Sequence, residues 1–248
     1  MRLKSLYILC SFILIFSACE KQSDPDDFSI DYFYQYFPAQ SDAGIVYQVD
    51  SFLFKRGISG LEIDTLSFEM ETSLMDSIDL PNGWSYVWQK KYKSLEAPFN
   101  THYQISSRSI SDNRAIVQED NLSFISFVFP PKEQTRWNGL SLMNGDSVQY
   151  TILGESIRPF KDWNQFRITE TDGVYTFGDT TFENVITVLQ TDTENAIEKR
   201  YSLERYARNY GLIYKEMWIL DTQNITDDPW EQKAERGFIL KQSYIRRR

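Results

Sequence analysis

Two-residue turn signals set between short runs of β-branched and aromatic residues constrain this chain more than any other feature. Phe166-Arg167-Ile168-Thr169-Glu170 and Val174-Tyr175-Thr176-Phe177 flank Asp172-Gly173, a pair that tolerates positive φ and so favours an antiparallel hairpin. Asn82-Gly83, after Pro81, and Asn144-Gly145 are signals of the same kind. The first leads into Trp84-Ser85-Tyr86-Val87-Trp88, whose alternation puts Trp84, Tyr86 and Trp88 on one strand face. The second turns the chain between strands expected at 140–143 and 147–153. Further strand candidates are 44–54, 61–70, 122–129, 182–189, 212–220 and 237–245, all rich in β-branched and aromatic residues. Residues 92–111 carry a weaker pattern; 191–195 and 209–211 read as turns and 227–230 as a loop. Residues 196–207 fit neither period, so strand and short helix both stay open. Roughly ten strand candidates at short spacing, with no βαβ rhythm, predict an all-β domain. It has room for one or two short helices around an antiparallel sheet, arranged as a sandwich or a curved half-barrel.

The N-terminus has a different character. Arg2 and Lys4 precede an apolar run over 6–16, and Ser17-Ala18 lead into Cys19. That order is a bacterial lipoprotein export signal, too short to span a bilayer as a helix. Cleavage before Cys19 would leave its thiol to carry lipid, and two or three acyl chains anchor a protein firmly. The expected organisation is therefore a signal peptide over 1–18, a disordered acidic tether over 19–30 and a single β domain over 31–248. The acidic cluster after Cys19 resembles the surface-exposure signal of Bacteroidetes lipoproteins. Asp24, Asp26 and Asp27 fall on this tether, which fixes no metal-ligand geometry.

Beyond residue 18 the chain holds 24 basic and 35 acidic side chains. That balance argues against nucleic acid, whose phosphates require a basic face. Cys10 lies in the signal segment, so Cys19 is left without an intramolecular partner and stability must come from burial. The single histidine, His102, makes neither a metal site nor a charge-relay system alone. Glu62 with Asp64 and Glu69 with Glu71 alternate onto one strand face, as glycosidase carboxylates or a solvent-facing surface would. There is no Gly-x-Ser-x-Gly elbow, phosphate loop, His-Glu-x-x-His or cysteine pair. Arg246-Arg247-Arg248 reads as a solvated basic tail, with lipid or polysaccharide phosphate as the alternative.

Two stretches carry a resemblance. Tyr36-Phe37-Pro38 followed by Tyr47-Gln48-Val49-Asp50-Ser51, and Tyr206-Ala207-Arg208-Asn209-Tyr210-Gly211-Leu212-Ile213-Tyr214-Lys215-Glu216, resemble the start and a late hairpin of uncharacterised Bacteroidetes envelope lipoproteins. The resemblance implies antiparallel β structure, in some members a curved half-barrel like that of lipoprotein carriers, and no catalytic residue. Thr65, Ser77, Ser147 and Thr180, each after an aspartate, resemble the acceptors of periplasmic O-glycosylation in the same bacteria. The expected protein is non-catalytic, without cofactor or metal, and anchored by lipid in the outer membrane, with surface exposure open. It binds a protein or glycan partner, for which Trp84, Tyr86 and Trp88 are the candidate face. The alternative is a carrier of a lipid or hydrophobic ligand in a curved β-sheet cavity.

Overall fold

The structure is a computed structural model and describes residues 33–41, 43–58, 60–81, 83–94, 101–163 and 165–248. The signal segment, Cys19 and the acidic tether lie outside the described residues.

The first six strands run up and down in order: β1 (Ile45–Gly57), β2 (Gly60–Leu80), β3 (Gly83–Ser94), β4 (Thr101–Ser111), β5 (Arg114–Glu119) and β6 (Leu122–Val128). Short β7 (Arg136–Trp137) follows, then a small hairpin of β8 (Tyr150–Ile152) and β9 (Glu155–Ile157). A second meander closes the chain: β10 (Phe166–Phe177), β11 (Thr180–Glu194), β12 (Glu198–Ala207), β13 (Gly211–Asp221) and β14 (Arg236–Arg247). β1 pairs with β14, from Ile45 opposite Arg247 to Phe54 opposite Gly237, and joins the meanders into one sheet of 12 antiparallel strands. The fold is all-β, with one α-helical turn at Trp230–Lys233 and two 3-10 turns, at Tyr34–Tyr36 and Gly145–Ser147, among the described residues.

The sheet is strongly bent. β6 and β12 are eight strand spacings apart in the sheet order, which in a flat sheet is about 38 Å. Yet the rings of Phe127 on β6 and Tyr206 on β12 lie 5.0 Å apart, edge to face. The main core fills the resulting concavity. It takes Phe127 from β6, Phe166 and Ile168 from β10, Ile186 and Val188 from β11, and Ile219 from β13. The two free edges meet at one level only. The Ile125 amide donates to the Gly139 carbonyl at 2.9 Å, and Trp137 Nε1–H donates to the Ile125 carbonyl at 2.7 Å. No ladder joins β6 to β7, so the sheet is a bent half-barrel, not a closed barrel.

Two expected hairpins are corrected. Asp172-Gly173 is no turn: β10 runs through it with three register shifts between Ile168 and Tyr175. A Cβ on Gly173 would strike the Tyr175 and Glu170 side chains; the glycine serves a bulge. The chain reverses instead after Phe177, with Gly178 at φ 56°. The bent hairpin tip packs Phe182 edge-on to Tyr210 and Tyr244, each at 5.0 Å. Likewise Gly145–Ser147 is a 3-10 turn and residues 140–143 are not a strand. The local hairpin turns at Leu153-Gly154, both at positive φ. Residues 191–194 continue β11, and the turn comes at Asn195, whose Oδ1 accepts from the Ile197 and Glu198 amides.

The ambiguous 196–207 segment contains a strand, β12. Arg200, Ser202, Glu204 and Tyr206 are all buried there, so its polar residues face inward and blur the alternation. Arg246-Arg247-Arg248 is not a free tail. Arg246 and Arg247 finish β14, Arg246 pairs with Glu69 at 3.5 Å, and Arg248 pairs with Glu71.

Candidate functional site

The concave face keeps a cavity of about 280 Å³. Its walls come from both meanders because the bend brings β3, β4 and β5 opposite β12, β13 and β14. Apolar side chains line its two ends. The segment before β1 plugs one: Phe37, Pro38 and Ala39 line the cavity, and Tyr36 donates its hydroxyl to the Asn184 carbonyl at 2.7 Å. The other end is walled by Phe124, Tyr150, Phe160 and Trp163, with Phe160 edge-on to Phe124, Tyr150 and Trp163. Asp120, in the β5–β6 turn, is the exposed member of the lining.

Between these ends lies a belt of charge. Lys90 on β3 pairs with Glu119 on β5 across the intervening β4. Lys215 on β13 stands opposite Glu204 on β12 and pairs with it at 3.0 Å, and Glu204 also accepts the Tyr206 hydroxyl. Arg108 on β4 stacks over the Trp88 ring at 4.2 Å and makes no ion pair among the described residues. Two residues earlier on the same strand face, Ser106 is 2% exposed, and its hydroxyl has no hydrogen-bond partner among the described residues. Three cations, Lys90, Arg108 and Lys215, thus line the cavity with three carboxylates, Glu119, Glu204 and the exposed Asp120, in a protein of formal net charge −9.

Burial and proximity move these groups from their ordinary values. Burial pushes the Lys90 ammonium down, against the opposing pull of Glu119. It pushes the Glu119 carboxyl up, but Lys90, Lys215 and Arg108 outweigh it and hold that carboxyl low. Burial lowers Lys215 as well, yet Glu204 and Glu119 together raise it. The Arg108 guanidinium is lowered by burial and supported by Tyr47, Tyr206 and Glu119. Burial, then Glu204, pushes the Tyr206 phenol far up. Interactions between Lys215 and Glu119, and between Arg108 and Tyr206, cross from one wall to the other.

The similarity searches give little beside this geometry. No protein-family model matches the chain, and no curated protein matches it. Two crystal structures resemble the fold loosely. One is a candidate lipoprotein of Parabacteroides distasonis ATCC 8503, with 10% identity, TM-score 0.39, 86% of this chain and 98% of that chain covered. The other is a candidate exported protein with a YmcC-like fold from Bacteroides fragilis NCTC 9343, with 12% identity, TM-score 0.40 and the same coverage. At those values neither transfers a role.

The residues singled out from the sequence are dispersed. Trp84, Tyr86 and Trp88 do share one face of β3. Trp84 is 49% exposed near the turn, Tyr86 is half-buried and donates to Gln40 Oε1 at 3.0 Å, and Trp88 is 3% exposed and donates to the Ala39 carbonyl at 2.8 Å. Thr65, Ser77 and Ser147 are exposed, and Thr180 is half-buried at the start of β11. His102 is exposed on β4 opposite Tyr92. Glu62 and Asp64 both face Lys55, at 3.5 and 2.9 Å. Cys19 lies outside the described residues.

The belt itself escaped sequence reading, since Lys90, Arg108, Glu119, Glu204 and Lys215 look like a solvated strand face until the sheet bends. One signal was available: Asp112-Asn113 and Asp120-Asn121 take positive φ at both positions, and that turn chemistry frames β5 and hence Glu119. Among the described residues no group of three or more His, Cys, Asp or Glu forms a metal-ligating cluster. No helix among them is long and apolar enough to cross a membrane.

Proposed function

We propose that this protein is a lipid-anchored envelope protein, held at the outer membrane through Cys19, that binds a hydrophobic ligand inside its half-barrel without chemically transforming it. The observation that carries the reading is the cavity. A space of about 280 Å³ between apolar ends is at the small end of ligand pockets, which run from roughly 300 Å³ upward. A sheet that needed only a packed core would have no reason to hold Lys90, Arg108, Lys215, Glu119 and Glu204 around an open interior, because buried charge costs stability unless paired. The anchor is supported by the order of basic, apolar and small residues before Cys19. A partner-binding face on Trp84, Tyr86 and Trp88 ranks lower, since of the three only Trp84 is substantially exposed.

Native mass spectrometry of the full chain, purified from a bacterial host and compared before and after denaturation, tests the ligand reading. An additional mass of small-amphiphile size, released on unfolding, is the expected outcome. A protein of bare mass that also takes up no added amphiphile would overturn it.

A further inference from the structure

We infer that the cavity selects an anionic amphiphile, whose carboxylate or other acidic head sits against Arg108 and Ser106 while its apolar tail lies along the aromatic wall; the inference rests on the ligand reading above. Four observations carry it. Of the three cations on the lining, Lys90 and Lys215 each make an ion pair with a carboxylate, whereas Arg108 makes none among the described residues: its guanidinium lies over the Trp88 face and draws on Glu119 only at a distance. Ser106, two residues away on the same face, offers a buried hydroxyl with no partner among the described residues. Both line the cavity, so a head group there would meet the guanidinium fork and a hydroxyl donor together. Finally, Phe124, Tyr150 and Phe160 line the same cavity and provide an apolar wall for a tail.

The neutral part of the lining would accept any small hydrophobe. The anionic preference comes from Arg108, because a largely desolvated cation with no ion pair of its own among the described residues gains most from an anion brought to it. A neutral ligand of equal length would leave the guanidinium and the Ser106 hydroxyl unmatched.

Isothermal titration of the full chain with octanoate, 1-octanol, acetate and inorganic phosphate, repeated on Arg108→Gln, separates the terms. Octanoate should bind at least about tenfold more tightly than octanol, acetate and phosphate should bind far more weakly than octanoate, and Arg108→Gln should bring octanoate and octanol together. Ser106→Ala serves as a second, conservative variant and should narrow the preference while leaving the fold untouched. Equal affinity for octanoate and octanol in the unaltered chain would overturn the inference and leave the ligand reading standing. Phosphate or acetate binding as tightly as octanoate would overturn it in favour of a small-anion site. Failure of every probe would sink the ligand reading itself.

Discussion

At the scale of single residues, the interior charges divide into those with partners and one without. Glu204 holds Lys215 at 3.0 Å and accepts the Tyr206 hydroxyl, so replacing it removes two interactions and leaves a half-buried ammonium without its partner. Breaking one side of such a pair typically costs about 3–5 kcal/mol, whereas replacing both members by apolar groups of similar size is often close to neutral. Glu204→Met alone should therefore lower Tm by about 6 °C or more for a domain of this size. The double variant Glu204→Met/Lys215→Met should recover most of that loss. Thermal unfolding of the two variants checks this; a double variant as unstable as the single one would mean that the site depends on the charges themselves. Arg108 differs, because no carboxylate is lost with it, so Arg108→Gln should unfold close to the parent temperature.

Secondary-structure elements carry the next constraint, since the half-barrel depends on how closely neighbouring strands approach where it bends. Gly237 sits in β14 at φ 114°, and a Cβ there would lie 1.9 Å from the Ile219 carbonyl oxygen of the paired β13. Gly154, in the β8–β9 turn, also has positive φ, at 88°, but has open space around it. Gly237→Ala should consequently cost more than about 3 kcal/mol, from backbone strain plus the clash, while Gly154→Ala should cost roughly 1 kcal/mol from backbone strain alone. Chemical denaturation of the pair compares them directly, and equal losses would show that β14 can shift to admit the methyl group. The segment before β1 is similarly placed by close contacts: Pro38 lies beside Gly211, the Asn209 amide donates to the Gln35 carbonyl at 2.7 Å, and Trp88 holds Ala39. The segments around Tyr36 and Tyr206 thus meet at the plugged end of the cavity.

For the whole molecule, stability and pH are linked through the belt. The folded protein holds the Glu119 carboxyl below its ordinary value of 4.5. Its contribution is therefore fully present above that value and is lost as pH falls through the folded one. On the alkaline side Lys90 and Lys215 shift in opposite directions and so act against each other, which makes the acid limb the diagnostic one. Tm should decline as pH falls below about 4.5, and Lys90→Met, by removing the cation that holds Glu119 ionised, should bring the folded value back toward the ordinary one and make that decline shallower. A decline identical in parent and variant would assign acid sensitivity to carboxylates elsewhere.

Composition and local pattern were enough to establish the class of fold. Aromatic and β-branched runs with short turns between them form strands wherever they are, because alternation and turn chemistry are properties of neighbouring residues. The same locality explains the misplaced turns: Asp172-Gly173 satisfies a bulge as readily as a hairpin, and only the partner strand distinguishes the two. Tertiary structure alone decided the site. Lys90, Arg108, Glu119, Glu204 and Lys215 are spread over 126 positions, and nothing in their neighbourhoods marks them as interior. They become a belt because β1 pairs with β14 and the joined sheet bends until its two halves face each other. Which face of a strand is concave is a property of the bent sheet as a whole, so whether a charged side chain meets water or another wall is settled only when the sheet has bent.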